Sequence, residues 1–245
     1  MALLEVQGLS RRFGGLMAIH ALDLEVQRGE VLGLIGPNGA GKSTLFSVLS
    51  GGLAPSRGLI TFKGERLNGL APYQICRRGL ARARQLVRPL ENLSVYDNVL
   101  VGASFGRQGT SGDESRLSAL HALELTGLLA KADARAGVLT LPDRKRLEIA
   151  RALATRPDLL LLDEVAAGLN PSELAAALEL LGKIRDAGTT LIYTEHVMQA
   201  VMKLSDRVVV LDHGEKIAEG SPDEVVQDAR VIEAYLGAPA PTQGE

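Results

Sequence analysis

Gly36, Pro37, Asn38, Gly39, Ala40, Gly41, Lys42, Ser43 and Thr44 are the residues of this chain best suited to chemistry, because they fill the pattern G-x-x-x-x-G-K-[ST]. Glycines lack a Cβ, so successive backbone N–H groups can turn toward one anion. The Lys42 ammonium then reaches the β- and γ-phosphates of a nucleotide, and the Ser43 hydroxyl is a ligand for Mg²⁺. A second constellation lies far downstream, where the apolar run after Asp158 ends in two adjacent carboxylates, Asp163 and Glu164. At the carboxyl end of a strand, Asp163 is placed to hold the hydration shell of Mg²⁺. Glu164 points differently and suits a general base for an attacking water, a role worth about 10²–10⁴-fold. Alone, such a pair also suits helix capping; the phosphate loop upstream favours the chemical reading.

These side chains need an element on each side. Val31, Leu32, Leu34 and Ile35 form an apolar run of buried-strand type, while Leu45, Phe46, Val48 and Leu49 recur with helical spacing until Gly51-Gly52. A strand, a glycine loop and a helix N-terminus together make a phosphate site. Residues 3–6 and 21–26 alternate as strands, residues 27–30 read as a turn, and residues 59–62 read as an antiparallel strand. From about residue 72 to residue 156 the pattern is helical, with a polar loop at 104–116 and an amphipathic helix at 117–129. Strand-like runs return at 159–162, 190–194 and 207–211. Between the first two of these, Asn170 and Glu173 form a capping box around Pro171, and Ser221-Pro222-Asp223-Glu224 repeats the device. This order predicts an α/β core with a helical lobe inserted at about residues 85–155, and a disordered tail over 238–245.

Bulk composition narrows the class. The chain has 245 residues, 46% hydrophobic and 23% charged, so it can bury a sizeable core. A net charge of −2 argues against a protein built to coat nucleic acid. The single cysteine, Cys76, excludes an intrachain disulfide. No stretch approaches the ~20 apolar residues of a membrane span. Glu5 and Arg11-Arg12 come too early for a signal peptide, which predicts a cytosolic chain.

Together the phosphate loop and the acid pair resemble the nucleotide-binding subunits of ABC transporters. The resemblance implies an α/β fold: a phosphate-loop NTPase core of ABC type with an N-terminal antiparallel β subdomain and an inserted helical subdomain. It would divide residues 1–237 into a core (1–84 and 156–220), a helical subdomain (85–155) and a C-terminal helical extension (221–237). It also implies roles for single residues. Phe13 lies where the family stacks an aromatic ring on adenine, and Gln85 where it has a glutamine that contacts metal, water and the membrane subunits. His196 matches the histidine that hydrogen-bonds the γ-phosphate, and the segment from Ala167 to Asn170 matches the dimer-contact loop. Glu195 either orients a water or is solvated, and His20, His121 and His213 sit in no comparable setting.

The signature segment departs from the family. Where Leu-Ser-Gly-Gly-Gln is usual, this chain has Leu139-Thr140-Leu141-Pro142-Asp143. Thr140 keeps a hydroxyl that can cap a helix and contact the nucleotide of a second chain. Pro142 removes a backbone donor, and Asp143 brings a negative charge toward a phosphate. Val165 replaces the usual proline, and Arg84 the usual aromatic residue before Gln85. The basic run Arg77, Arg78, Arg82, Arg84 and Arg88 suits a face for a partner or an RNA, but against the near-neutral total charge it reads better as a solvated or salt-bridged face.

Over about residues 3–237 the chain most resembles the ATP-binding subunit of branched-chain (hydrophobic) amino acid importers. The marks include Phe13-Gly14-Gly15-Leu16, the run from Arg146 to Leu153, Ile217-Ala218-Glu219-Gly220 and Glu233-Ala234-Tyr235-Leu236-Gly237. The resemblance implies ATP and Mg²⁺ as ligands and a second ATPase chain, identical or not. It also implies a pair of membrane permeases, indirectly a periplasmic binding protein, and no nucleic acid. The implied location is the cytoplasmic face of a bacterial inner membrane. The rival reading is a regulatory ATP-binding module whose variant signature leaves a partner's site incomplete.

Overall fold

The computed structural model describes residues 2–84, 88–107, 111–164, 167–195 and 198–236. Strands β1 (Leu4–Phe13) and β2 (Leu16–Val26) form a hairpin, and β3 (Val31–Ile35) leads through the phosphate loop into α1 (Lys42–Leu49). Next come β4 (Arg57–Phe62), β5 (Glu65–Arg66), α2 (Pro72–Arg78) and β6 (Leu80–Ala83). The helices α3 (Val95–Phe105), α4 (Gly112–Leu125) and α5 (Leu141–Leu153) follow. Then β7 (Leu159–Asp163), α6 (Pro171–Asp186), β8 (Thr190–Thr194), α7 (Met198–Leu204), β9 (Arg207–Asp212) and β10 (Glu215–Gly220) complete the core, before α8 (Pro222–Gln227) and α9 (Ala229–Leu236).

The strands sort into a 4-stranded sheet, β2-β1-β4-β5, and a 6-stranded sheet, β10-β9-β3-β8-β7-β6. The first is antiparallel. In the second every pairing is parallel except β10 on β9. Its central strands are buried on both faces, which explains their unbroken apolar runs. Alternate residues of β7 serve different cores: Leu159 and Leu161 pack with α1 and the antiparallel sheet, whereas Leu160 and Leu162 pack with α5 and α6. A separate core of α3, α4 and α5, including Val99, Leu123 and Leu147, makes the helical lobe. A smaller one, with Val210, Ala218, Val225 and Val231, docks α8 and α9 onto β9 and β10.

Several sequence expectations change. The first hairpin is longer than its alternating segments, because register shifts between Val6 and Leu9 and on through Arg12 break the alternation while pairing continues. The stretch from residue 72 to 156 is not uniformly helical, since β6 pairs in parallel with β7 from Leu80–Leu159 to Ala83–Leu162. Alanines and Arg82 carry no strand signal; the open edge of β7 imposes the conformation. The expected loop at 104–116 is also partly helix. Ser111 Oγ accepts from Glu114 N–H at 3.2 Å and Glu114 Oε2 accepts from Ser111 N–H at 2.7 Å, a capping box that starts α4 at Gly112. That helix ends at Leu125, short of residue 129. Ile217 to Gly220, marked only as a family motif, belong to a strand. The capping boxes at Asn170 and Ser221 form as read.

Candidate functional site

Strand β3 delivers the phosphate loop to the carboxyl edge of the parallel sheet. Gly36 has φ +146° and an ideal Cβ there would lie 2.0 Å from Leu211 O, so no side chain fits between the loop and β9. Gly41, at φ +105°, takes the N-cap position of α1, with no side chain capping the helix and no acid in its first turn. By contrast, Ser94, Ser111, Thr140, Asn170 and Ser221 cap α3, α4, α5, α6 and α8 with their side chains. The N–H groups opening α1 therefore meet no side-chain cap and carry the positive end of the helix dipole, an arrangement suited to phosphate.

Lys42 belongs to that loop and is buried. Its Nζ donates to Gly36 O at 2.6 Å and Pro37 O at 3.0 Å. Burial pushes its pKa down, while Glu164 and Asp163 pull it back up. A cavity of about 460 Å³ opens over the loop, lined by Asn38 to Thr44, by Phe13, Leu16, Met17 and Ala18, and by Glu164 and His213. Phe13 is 41% exposed at the end of β1, and the Arg11 guanidinium sits 4.5 Å from its ring centroid.

Strand β7 ends at Asp163, which is buried. Its Oδ2 accepts from Arg82 Nη2 at 2.6 Å and its Oδ1 from Thr194 Oγ1 at 3.2 Å. Glu164 has left-handed φ of +48°, a conformation uncommon outside glycine, and its N–H donates to Thr194 Oγ1 at 3.0 Å. This backbone turn separates the two carboxylates: Glu164 lines the cavity over the phosphate loop, while Asp163 is buried and does not line it. The donors suit a metal carried by the nucleotide. Ser43 is exposed at the mouth of α1, and one hydroxyl with one carboxylate is the sparse hard-oxygen set that Mg²⁺ takes alongside phosphate oxygens. Among the described residues no cluster of three or more His, Cys, Asp or Glu could hold a metal by itself.

Thr140 is not among the residues lining this cavity. It caps α5 on the helical lobe, accepting from Asp143 N–H at 3.4 Å and donating to Asp143 Oδ2 at 3.0 Å. Asp143 is buried and paired with Lys131, with Arg146 Nη1 at 3.8 Å. Its charge is thus paired within its own lobe. The next basic residue, Lys145, is also buried and donates to Ala167 O, tying α5 to the loop before α6. Gln85 and His196 lie outside the described residues.

Two residues at the site escaped the sequence reading. His213 sits in the β9–β10 turn with φ +45°, and Gly214 N–H donates to Ala40 O at 3.0 Å, which brings the turn against the phosphate loop. Nothing in its neighbours signals this placement. Arg82 leaves the basic run altogether: its side chain is 15% exposed and turned inward onto Asp163. The others divide, Arg78 pairing with Glu65 at 2.9 Å and Arg77 lying over Tyr73.

Comparison with known proteins agrees with this geometry. Residues 19–167 match the ABC transporter family, and residues 215–241 match the branched-chain amino acid ATP-binding cassette transporter family. The high-affinity branched-chain amino acid transport ATP-binding protein BraF of Pseudomonas aeruginosa is 40% identical over 252 residues, covering 96% of this chain and 98% of the relative. LivG of Escherichia coli K12, with the same description, is 41% identical over 249 residues and the same shares of both chains. The ADP conformation of an ATP-binding cassette of an ABC transporter superposes with a TM-score of 0.87 at 29% identity, covering 97% of this chain and 100% of that one. With its uncapped phosphate-loop helix, its acid-tipped strand and its relatives of nearly equal length, this chain belongs to the ABC transporter family of ATP-binding cassettes.

Proposed function

We propose that this chain is the ATP-hydrolysing subunit of an importer for branched-chain or other hydrophobic amino acids. The observation that carries the reading is the uncapped N-terminus of α1 behind Gly41, set opposite Glu164 across one cavity. The phosphate-loop N–H groups and Lys42 bind the phosphates, and Phe13 stacks on the base. Ser43 and Asp163 would hold Mg²⁺ on the nucleotide. When bound, the magnesium neutralises charge developing on the phosphate oxygens. Glu164 takes the proton of the attacking water, while Gln85 and His196 contact the water and the γ-phosphate.

The site is half of a pair in this reading. A second chain, identical or homologous, would bring its Thr140 end of α5 to the nucleotide. Val138 and Leu141, 75% and 52% exposed beside Thr140, suit burial in that contact. Lys131 pairs with Asp143 and offsets its charge, while Pro142 still leaves the start of α5 one backbone donor fewer. A groove of about 780 Å³ between core and helical lobe offers Tyr73, Val101 and Phe105 together with Arg84, Glu148 and Arg151. It suits a cytoplasmic loop of a permease, which would hold the chain at the inner face of the membrane. The described helices include none long and apolar enough to cross a membrane.

The test is Glu164→Gln. Steady-state hydrolysis is expected to fall about 10²–10⁴-fold, while a fluorescent ATP analogue still binds. Undiminished turnover would remove Glu164 from the role of base. Uptake of labelled leucine by vesicles containing the assembled transporter, with and without this substitution, checks the substrate class.

A further inference from the structure

Arg82 and Asp163 are 81 residues apart in sequence and form an ion pair whose side chains are 15% and 6% exposed. Such burial costs desolvation, and a buried pair is weak evidence for stability. Its geometry points elsewhere. Arg82 Nη2 donates to Asp163 Oδ2 at 2.6 Å while Nη1 donates to Ser47 Oγ at 3.0 Å. The Ser47 hydroxyl donates onward to Ser43 O at 2.7 Å, one turn back along α1. One guanidinium therefore joins the strand that ends in Asp163 to the helix that carries Ser43 in its first turn. The second oxygen of Asp163 is already engaged by Thr194, so the carboxylate is held at both atoms. Cζ of Arg82 packs 5.8 Å from the centroid of the Phe46 ring, which fixes the guanidinium from a further side. The planar fork suits this bridging, since an ammonium offers no two donors in fixed divergence. Arg82 also lines the groove between core and helical lobe.

We propose that Arg82 is a positioning residue that fixes the orientation of Asp163 and its spacing from Ser43, so that the carboxylate meets the hydration shell of nucleotide-borne Mg²⁺ in one pose. The inference rests on the reading of Ser43 and Asp163 as the magnesium-facing pair. Outer partners of metal ligands typically change metal affinity about 10–100-fold when removed. Of the two groups that would face the metal, Arg82 bonds only Asp163, so the lower end applies here, about tenfold.

The experiment titrates MgCl₂ into the full chain with a fluorescent ATP analogue, and measures binding of the same analogue in EDTA. Arg82→Gln is expected to raise the Mg²⁺ midpoint about tenfold and to leave affinity in EDTA unchanged. Arg82→Lys, which keeps the charge without the fork, should fall between wild type and Arg82→Gln, and it carries the test if the glutamine variant does not fold. In an Asp163→Asn background the Arg82 substitution should add no further shift, because neighbours acting through one group are non-additive. An unchanged midpoint in Arg82→Gln, or a full additional shift on top of Asp163→Asn, overturns the proposal while leaving the magnesium assignment intact. A wild-type curve indifferent to Mg²⁺ overturns the assignment itself.

Discussion

Glu164 illustrates how much chemistry one backbone angle can place. At φ +48° it leaves the strand in a left-handed turn, so neighbouring carboxylates face different surroundings, one buried against Arg82 and one at the cavity. Strain of this kind costs of order 1–3 kcal/mol and persists only where the surroundings hold it, here through the Thr194 hydroxyl. Phe13 is the opposite case, an exposed ring on a hairpin with no strain to explain it. Its expected role is stacking, and base–aromatic stacking is worth about 1–3 kcal/mol on alanine substitution. Phe13→Ala should therefore weaken ATP binding by roughly one to two orders of magnitude, whereas Phe13→Tyr keeps the π face and the affinity. Equilibrium binding of a labelled nucleotide reads both; equal affinity in the alanine variant would place the base elsewhere.

At the scale of elements, the cap of α5 and the floor of the sheet are separable. Thr140→Ala removes an N-cap worth about 1 kcal/mol, which in a protein of this size lowers the melting temperature by roughly 2–4 °C. A fall in ATPase beyond what that destabilisation explains would belong to the partner's nucleotide, and melting and turnover measured together separate them. Asp158, just before β7, gathers Arg28 at 3.2 Å, Arg107 at 2.7 Å and Lys63. Burial pushes its carboxyl pKa up, but these cations outweigh that and hold it below its ordinary value. A depressed carboxylate stabilises the fold above its unfolded pKa of about 3.9, and that contribution is lost as pH falls through the lower folded value. Asp158→Asn should cost about 1–3 kcal/mol in urea unfolding at pH 7, and the deficit relative to wild type should shrink toward pH 3. A deficit independent of pH would assign the loss to packing instead.

For the whole molecule, the arrangement of two sheets and a helical lobe sets the nucleotide cavity and Thr140 on different parts of one chain. A complete site in the proposed reading needs two chains. Glu164→Gln with MgATP is therefore expected to sediment at twice the mass of the nucleotide-free chain, alone or with its homologous partner subunit. A persistent monomer with both partners present would break the paired-site reading. The sheet that carries the site depends on its double-sided burial: Leu161→Ala on β7 should cost about 2–5 kcal/mol in chemical denaturation, because both faces of that strand are closed.

Local order was legible where a chemical rule acts between near neighbours. The phosphate loop needs glycines at fixed spacing, the buried strands need unbroken apolar runs, and the boxes at Asn170 and Ser221 need residues three apart; all of these are legible in the sequence. The box at Ser111 obeys the same rule and was hidden by the polar, glycine-bearing run around it. What only the tertiary structure decided depends on groups distant in sequence. β6 is a strand because β7 has an open edge, and Arg82 faces inward because that edge lies beside Asp163 and Ser47. Asp143 meets a cation because Lys131 packs against it, and His213 joins the cavity because Gly214 bonds the phosphate loop. Backbone conformation is largely set by a residue and its near neighbours, whereas the partner of a buried charge is set by which elements pack together. The sequence by itself thus identified the phosphate-binding chemistry and most of its scaffold, and the fold decided which charges meet inside it.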